Sequence, residues 1–219
     1  MTIQYYMLGE RKSKLLIITS LGRAGTSLVA KFCKGLGYDP GGEWSDITDA
    51  GMEDYEFVQV HDRIRLATNF PARYSIPTIE QIKAMIVSID SQHKVIKDPR
   101  LVDTRMFEYW KMFCPSGVKV LLLHRDFIDS RVSRANKGIV FEPYGGYHFV
   151  FAQFVQYLLR WDIEFRMLYF PNYLSRPEVL IKDLQDLGLE INTEQALGIW
   201  AKIYDPSKVH VSLVEGKQF

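Results

Sequence analysis

The sequence predicts an α/β protein of three layers, α/β/α, built on a central, mostly parallel sheet. Three observations carry this. Leu15 to Ile18, Val95 to Lys97 and Val118 to Leu123 are short runs dominated by apolar residues, as expected of strands buried on both faces of a parallel sheet. Stretches with helical spacing lie between them, and such alternation argues for a sheet covered on both sides. The first run also feeds directly into a glycine turn and a helix start. With 219 residues, 47% of them hydrophobic, the chain is expected to form one domain over residues 1–219 with a substantial core.

The first unit, Lys14 to Leu28, reads K-L-L-I-I-T-S-L-G-R-A-G-T-S-L. After the strand come Gly22, Arg23, Ala24, Gly25, Thr26 and Ser27, then apolar residues Leu28, Val29, Phe32 and Leu36 at helical spacing. Gly37 follows as a helix C-cap. Strand, turn and helix N-terminus bring unpaired N–H groups and the positive end of a helix dipole to one point, which suits a phosphate. The arrangement is like that of P-loop nucleotide-binding proteins, whose pattern is G-x-x-x-x-G-K-[ST]. Here Ser20 stands at the first Gly and Thr26 at the Lys that serves a γ-phosphate. The cation is instead Arg23, and the hydroxyls are those of Thr26 and Ser27.

Further along, Tyr38 to Ser45 is a Gly/Pro loop carrying Glu43, and Asp49 to Thr68 reads as a helix with Glu53, Glu56 and His61. Pro71 and Pro77 end it. Thr78 with Gln81 makes a capping-box-like start to another helix, up to about Ser91. Val95 to Lys97 ends in Asp98-Pro99-Arg100, charged residues at the edge of the sheet where ligands bind, equally consistent with a structural ion pair. Asp103 to Phe113 is a further helix. Val118 to Leu123 then leads to Arg125 at the strand's carboxyl end, with Ser133 eight residues on, near the far end of a short helix starting around Asp126. One Arg and one hydroxyl could clamp a second phosphate. A glycine-rich loop, Asn136 to Gly146, precedes an aromatic helix from Tyr147 to Trp161, most of whose rings belong in the core; His148 is a base, a supporting donor or a half-buried histidine. Phe165 to Phe170 is the last strand, and helices at Pro177 to Leu187 and Thr193 to Tyr204 finish the chain, the last capped by Asn192 or Thr193.

Together these stretches resemble the sulfotransferases that use 3′-phosphoadenosine 5′-phosphosulfate (PAPS). G-R-A-G-T-S resembles that family's 5′-phosphosulfate loop, and Arg125 to Ser133 its R-x7-S motif for the 3′-phosphate. V-I-K-D-P-R-L (Val95 to Leu101) is similar to a segment of bacterial members, and G-M-E-D-Y-E-F-V (Gly51 to Val58) to their G-x-x-E-D segment. Arg166 to Leu187 resembles their late strand, turn (Phe170-Pro171-Asn172-Tyr173-Leu174) and Pro-Glu helix. Leu28 replaces the Trp with which larger cytosolic members stack adenine, their R-K-G loop has at best a partial counterpart in Lys137-Gly138, and their catalytic His segment and C-terminal dimerisation motif are not found.

The resemblance implies sulfuryl transfer from PAPS to an acceptor hydroxyl or amine, leaving adenosine 3′,5′-bisphosphate. Gly22, Arg23, Ala24, Gly25, Thr26, Ser27, Arg125 and Ser133 would hold the nucleotide, and Arg23 would also neutralise the leaving phosphate. The base would come from Glu53, Glu43 or His61, with Asp98 behind them. No metal is expected, since no His/Cys cluster with ligand spacing is visible. Two alternatives stay open: a P-loop kinase with a degenerate loop, and a non-catalytic module binding an adenosine bisphosphate. The acceptor is a small molecule or glycan of unspecified class, and the oligomeric state is open. A formal charge of +1 argues against general nucleic-acid binding. Cys33 and Cys114 form no motif and fit a reducing compartment. The N-terminal residues do not read as a signal peptide, and no apolar run approaches the roughly 20 residues of a membrane span; a cytoplasmic protein is expected.

Overall fold

The computed structural model describes residues 14–21, 24–40, 78–102, 104–135 and 144–205, with the backbone alone at 100, 106, 132–135, 144 and 145. Four strands form one sheet: β1 (Leu15–Ser20), β2 (Val95–Lys97), β3 (Val118–Arg125) and β4 (Phe165–Phe170). Their order is β2-β1-β3-β4, and every pairing is parallel. The helices are α1 (Thr26–Gly35), α2 (Ile79–Gln92), α3 (Thr104–Phe113), α4 (Phe127–Ala135), α5 (Tyr144–Arg160), the single turn α6 (Asn172–Ser175), α7 (Pro177–Asp186) and α8 (Thr193–Ile203). A 3-10 turn, Pro99–Val102, follows β2.

The three layers follow from strand alternation. Leu16, Ile18, Val95, Leu121, Leu123, Leu168 and Phe170 share one apolar cluster with residues of α1, α7 and α8. Leu15, Ile17, Ile96, Val120 and Leu122 share another with α2, α3 and α5. Central β1 is buried along its whole length, which is why its sequence shows no polar alternation. Phe32 of α1 meets Trp200 of α8 edge-on, with ring centroids 5.4 Å apart; Phe107 of α3 meets Phe154 of α5 likewise at 5.3 Å on the other side. The expected α/β class, its three layers and its parallel sheet are therefore what the chain forms.

Local signals behave as their chemistry dictates. Thr78 and Gln81 close a reciprocal capping box at the start of α2, and Asn192 caps α8. At the end of α1, Gly37 N–H donates to Lys34 O and Tyr38 N–H to Cys33 O, both at 3.0 Å. This is a Schellman closure, and it needs the positive φ of 90° that Gly37 adopts. Asp90 fixes the turn into β3, accepting from Ser116 N–H at 3.3 Å, from the Ser116 hydroxyl and from the Cys114 thiol at 3.2 Å. Burial pushes that thiol up to about 12, and Cys33, also free and buried, likewise.

Three expectations change in detail. β1 and β3 run two residues further than their apolar runs, to Ser20 and Arg125, because the ladder continues through polar side chains. α5 begins at Tyr144 and ends before Trp161. Its rings do not all enter the core: Tyr147 and Phe154 are buried, whereas Phe149 and the following Trp161 are 62% and 46% exposed. The expected helix at 49–68 lies outside the described residues.

Candidate phosphate-binding site

Connections leave β1 toward β2 on one side and β3 toward β4 on the other, so the strand order reverses between β1 and β3. In open parallel sheets the crevice outside the carboxyl ends at such a reversal is where ligands bind. The residues at that edge are Ser20 and the turn into α1, from β1, and Arg125, from β3.

Gly25 is the N-cap of α1, with φ 82° and ψ 16°. Side chains pay heavily for that conformation, and here a second constraint is added. A Cβ at position 25 would collide with the Tyr173 hydroxyl and lie 3.1 Å and 3.2 Å from ring atoms of Phe170. The glycine is therefore required by both backbone angle and close packing. α1 has no side-chain cap and no acidic residue in its first turn, unlike α2 and α8. Its first N–H groups face the crevice edge with the positive end of the dipole behind them. Thr26 is buried and Ser27 half-buried at the first two helical positions.

Arg125 is only 3% exposed. By alternation it stands on the α1 face, above Leu121 and Leu123, and it pairs in register with Phe170 of β4. Its guanidinium lies over the Phe170 ring, 4.6 Å from the centroid, and its backbone carbonyl accepts from the Tyr147 hydroxyl at 3.1 Å. Phe170 thus touches both Arg125 and the Gly25 turn. Tyr173, three residues on, donates its hydroxyl to Ala24 O at 3.1 Å; burial drives its acidity well down, so the phenol stays protonated. Lys97 closes the other flank: it is 3% exposed, pairs with Ile18, and stands on the α1 face at the end of β2. Two buried cations therefore bracket the turn on one face.

The opposite face of the same edge carries different chemistry. His124, next to Arg125, packs on Phe151 at 4.5 Å and Tyr169 at 5.4 Å. Burial lowers its pKa, nearby His148 lowers it further, and Asp126 opposes both. His148 lies against Tyr147 and Phe127. Asp98 is fully buried just past β2, its N–H donating to Ile18 O at 3.0 Å.

No family model and no curated protein matches the chain. Among solved structures it is similar to a gluconokinase from Sinorhizobium meliloti 1021, with a TM-score of 0.39 and 16% identity, over 89% of this chain and 95% of that one.

Of the sites expected from sequence, Ala24, Gly25, Thr26, Ser27 and Arg125 come together at the crevice edge. Ser133 falls in the last turn of α4, described there as backbone only. Gly22, Arg23, Glu43, Glu53 and His61 lie outside the described residues. Among the described residues no group of three or more His, Cys, Asp or Glu could hold a metal ion, and no helix is long and apolar enough to cross a membrane. Sequence reasoning missed Phe170, Tyr173 and Lys97 as members of the site. The lysine could have been found, since its run ends a buried strand; the two rings could not, because only the fold brings them under the turn.

Proposed function

We propose that the protein is a sulfotransferase that binds PAPS at this crevice and passes its sulfuryl group to an acceptor hydroxyl or amine. What supports it most is one juxtaposition: the uncapped, glycine-headed N-terminus of α1 and the buried Arg125 face the same side of the sheet at its reversal point. That donor set suits a ligand with two separate anionic groups, one for helix N–H groups and one for a guanidinium. The G-R-A-G-T-S and R-x7-S patterns attach it to the nucleotide.

When bound, the phosphosulfate supplies the sulfuryl group; the chain supplies position and charge. The first-turn N–H groups of α1, with the hydroxyls of Thr26 and Ser27, hold the 5′ group, and Arg23 neutralises charge that grows on the departing phosphate oxygen. Arg125 and Ser133 hold the 3′-phosphate. Glu53 takes the acceptor's proton, with Glu43 and His61 as competitors; replacing each in turn identifies the base, whose loss costs about 10²–10⁴ in turnover.

A second reading keeps the fold and the turn but transfers phosphoryl from a Mg²⁺-bound nucleoside triphosphate. Thr26, at the position of the P-loop lysine, weighs against it; Lys97, a buried cation on the same face, weighs for it. A non-catalytic adenosine-bisphosphate module is the third. One turnover assay separates them: PAPS-dependent sulfation without metal, ATP-dependent transfer with metal, or nucleotide binding with neither. Metal-dependent ATP turnover alone would overturn the sulfotransferase proposal.

A further inference from the structure

The two anion-binding elements are far apart in sequence, yet one short segment touches both. We infer that Phe170 and Tyr173 are positioning residues that couple the Ala24–Gly25 turn to Arg125, so that the geometry of each half of the site depends on the turn after β4. Tyr173 holds the Ala24 carbonyl at 3.1 Å from 149 residues away. Its hydroxyl and the ring of Phe170, the two rings standing 6.0 Å apart and edge-on, occupy the space a Cβ at position 25 would need. The other face of the contact is Arg125, whose guanidinium rests on Phe170. Behind Tyr173 stands Trp200 at 6.3 Å, itself wedged on Phe32 of α1.

This is a different job from core filling. A phenylalanine at 173 would keep the ring's place against Phe170 and Trp200 but lose the hydroxyl, which both reaches Ala24 O and stands beside Gly25. Leucine at 170 would keep the position apolar, though with a smaller side chain, but an aliphatic side chain offers no π face to a guanidinium. Each residue therefore has a component that packing does not explain, and each acts on a different half of the site. The assignment of ligand to each half rests on the nucleotide reading above; the coupling itself does not.

The experiment uses Tyr173→Phe and Phe170→Leu in the full chain. Calorimetry measures adenosine 3′,5′-bisphosphate and AMP; amide exchange by NMR follows Val29, whose N–H donates to Gly25 O at 3.1 Å and so reports the turn without any ligand. Tyr173→Phe should weaken both nucleotides by a similar factor, roughly threefold to tenfold, the effect of one lost hydrogen bond, and should raise exchange at Val29 by a similar factor while leaving β3 amides unchanged. Phe170→Leu should lower the preference for the bisphosphate over AMP, because Arg125 loses its platform. If Tyr173→Phe leaves Val29 exchange unchanged, or raises it only in step with every core amide, the coupling is wrong, whatever binds. If Val29 responds as expected but the wild type binds neither nucleotide, the coupling stands and the nucleotide reading falls. A bisphosphate preference undiminished in Phe170→Leu would remove Phe170 from the inference.

Discussion

Arg125→Ala offers the sharpest measurement. In the folded protein the guanidinium lies on Phe170 and is almost wholly buried. That stacking positions the guanidinium with or without ligand, but it is not itself the contact that tells the two nucleotides apart. On the proposed reading, what differs is the charge-assisted hydrogen bonding of Arg125 to a 3′-phosphate, at about 1.5–3 kcal/mol per bond. One such bond corresponds to roughly tenfold to 150-fold in affinity. The wild type should therefore bind adenosine 3′,5′-bisphosphate at least roughly tenfold more tightly than AMP, and Arg125→Ala should erase most of that ratio while leaving AMP nearly unchanged. Using the ratio within each protein removes any general loss of stability from the comparison. Arg125→Lys should fall between, since it keeps charge but loses the planar fork. Titration calorimetry at one fixed ionic strength decides it. Equal affinities in the wild type, or a ratio that survives Arg125→Ala, would refute the 3′-phosphate assignment.

Three further outcomes follow from the same geometry. Gly25→Ala combines a left-handed φ, costing about 1–2 kcal/mol for a side chain, with a collision against Tyr173 and Phe170; both the melting temperature and bisphosphate affinity should fall, and a variant with wild-type values for both would show the turn to be adaptable. Turnover, once an acceptor is found, should be indifferent to EDTA; activity abolished by chelator and restored by Mg²⁺ would move the assignment to phosphoryl transfer. The third concerns His124, whose pKa burial lowers relative to the unfolded chain, with His148 adding to the effect. Below about pH 6.5 the unfolded state takes up its proton first, so stability should decline as pH falls from 7 toward 5. His124→Gln should flatten that decline in melting temperature; an identical slope would show that other groups set it.

The fold was legible wherever local chemistry and burial agree. Leu15 to Ile18 reads as a doubly buried strand because nothing about it is polar, and it lies at the centre of the sheet. Thr78 and Gln81 announce a helix start because the capping box needs only four consecutive residues. The same logic found Gly25 and Arg125, each marked by its place after a strand. Phe170 and Tyr173 were hidden for the opposite reason. The sequence marks their segment only as one that resembles a family's turn, and their place in the site comes from β4 lying beside β3, which brings Phe170 into register with Arg125. Which rings of α5 enter the core was not legible, because helical periodicity gives spacing and not facing; α5 turns only one face to the sheet, and Phe149 lies on the other.

The α1 face of β3 runs Leu121, Leu123, Arg125, and the last member is the informative one. A third leucine would continue the apolar face, whereas a buried cation in its place carries a desolvation cost of several kcal/mol that its contacts must offset. Phe170 softens the cost through its π face, and the uncapped end of α1 leaves the same side of the crevice ready for negative charge. A buried arginine on the side of the crevice that the start of α1 also edges fits the ligand-binding role proposed above. The consequence can be measured. Arg125→Leu should keep or raise the melting temperature of the ligand-free protein while abolishing its preference for the bisphosphate over AMP. If that variant instead unfolds several degrees earlier, Arg125 is chiefly a structural cation, and the anion site must be sought around Lys97 and the turn alone.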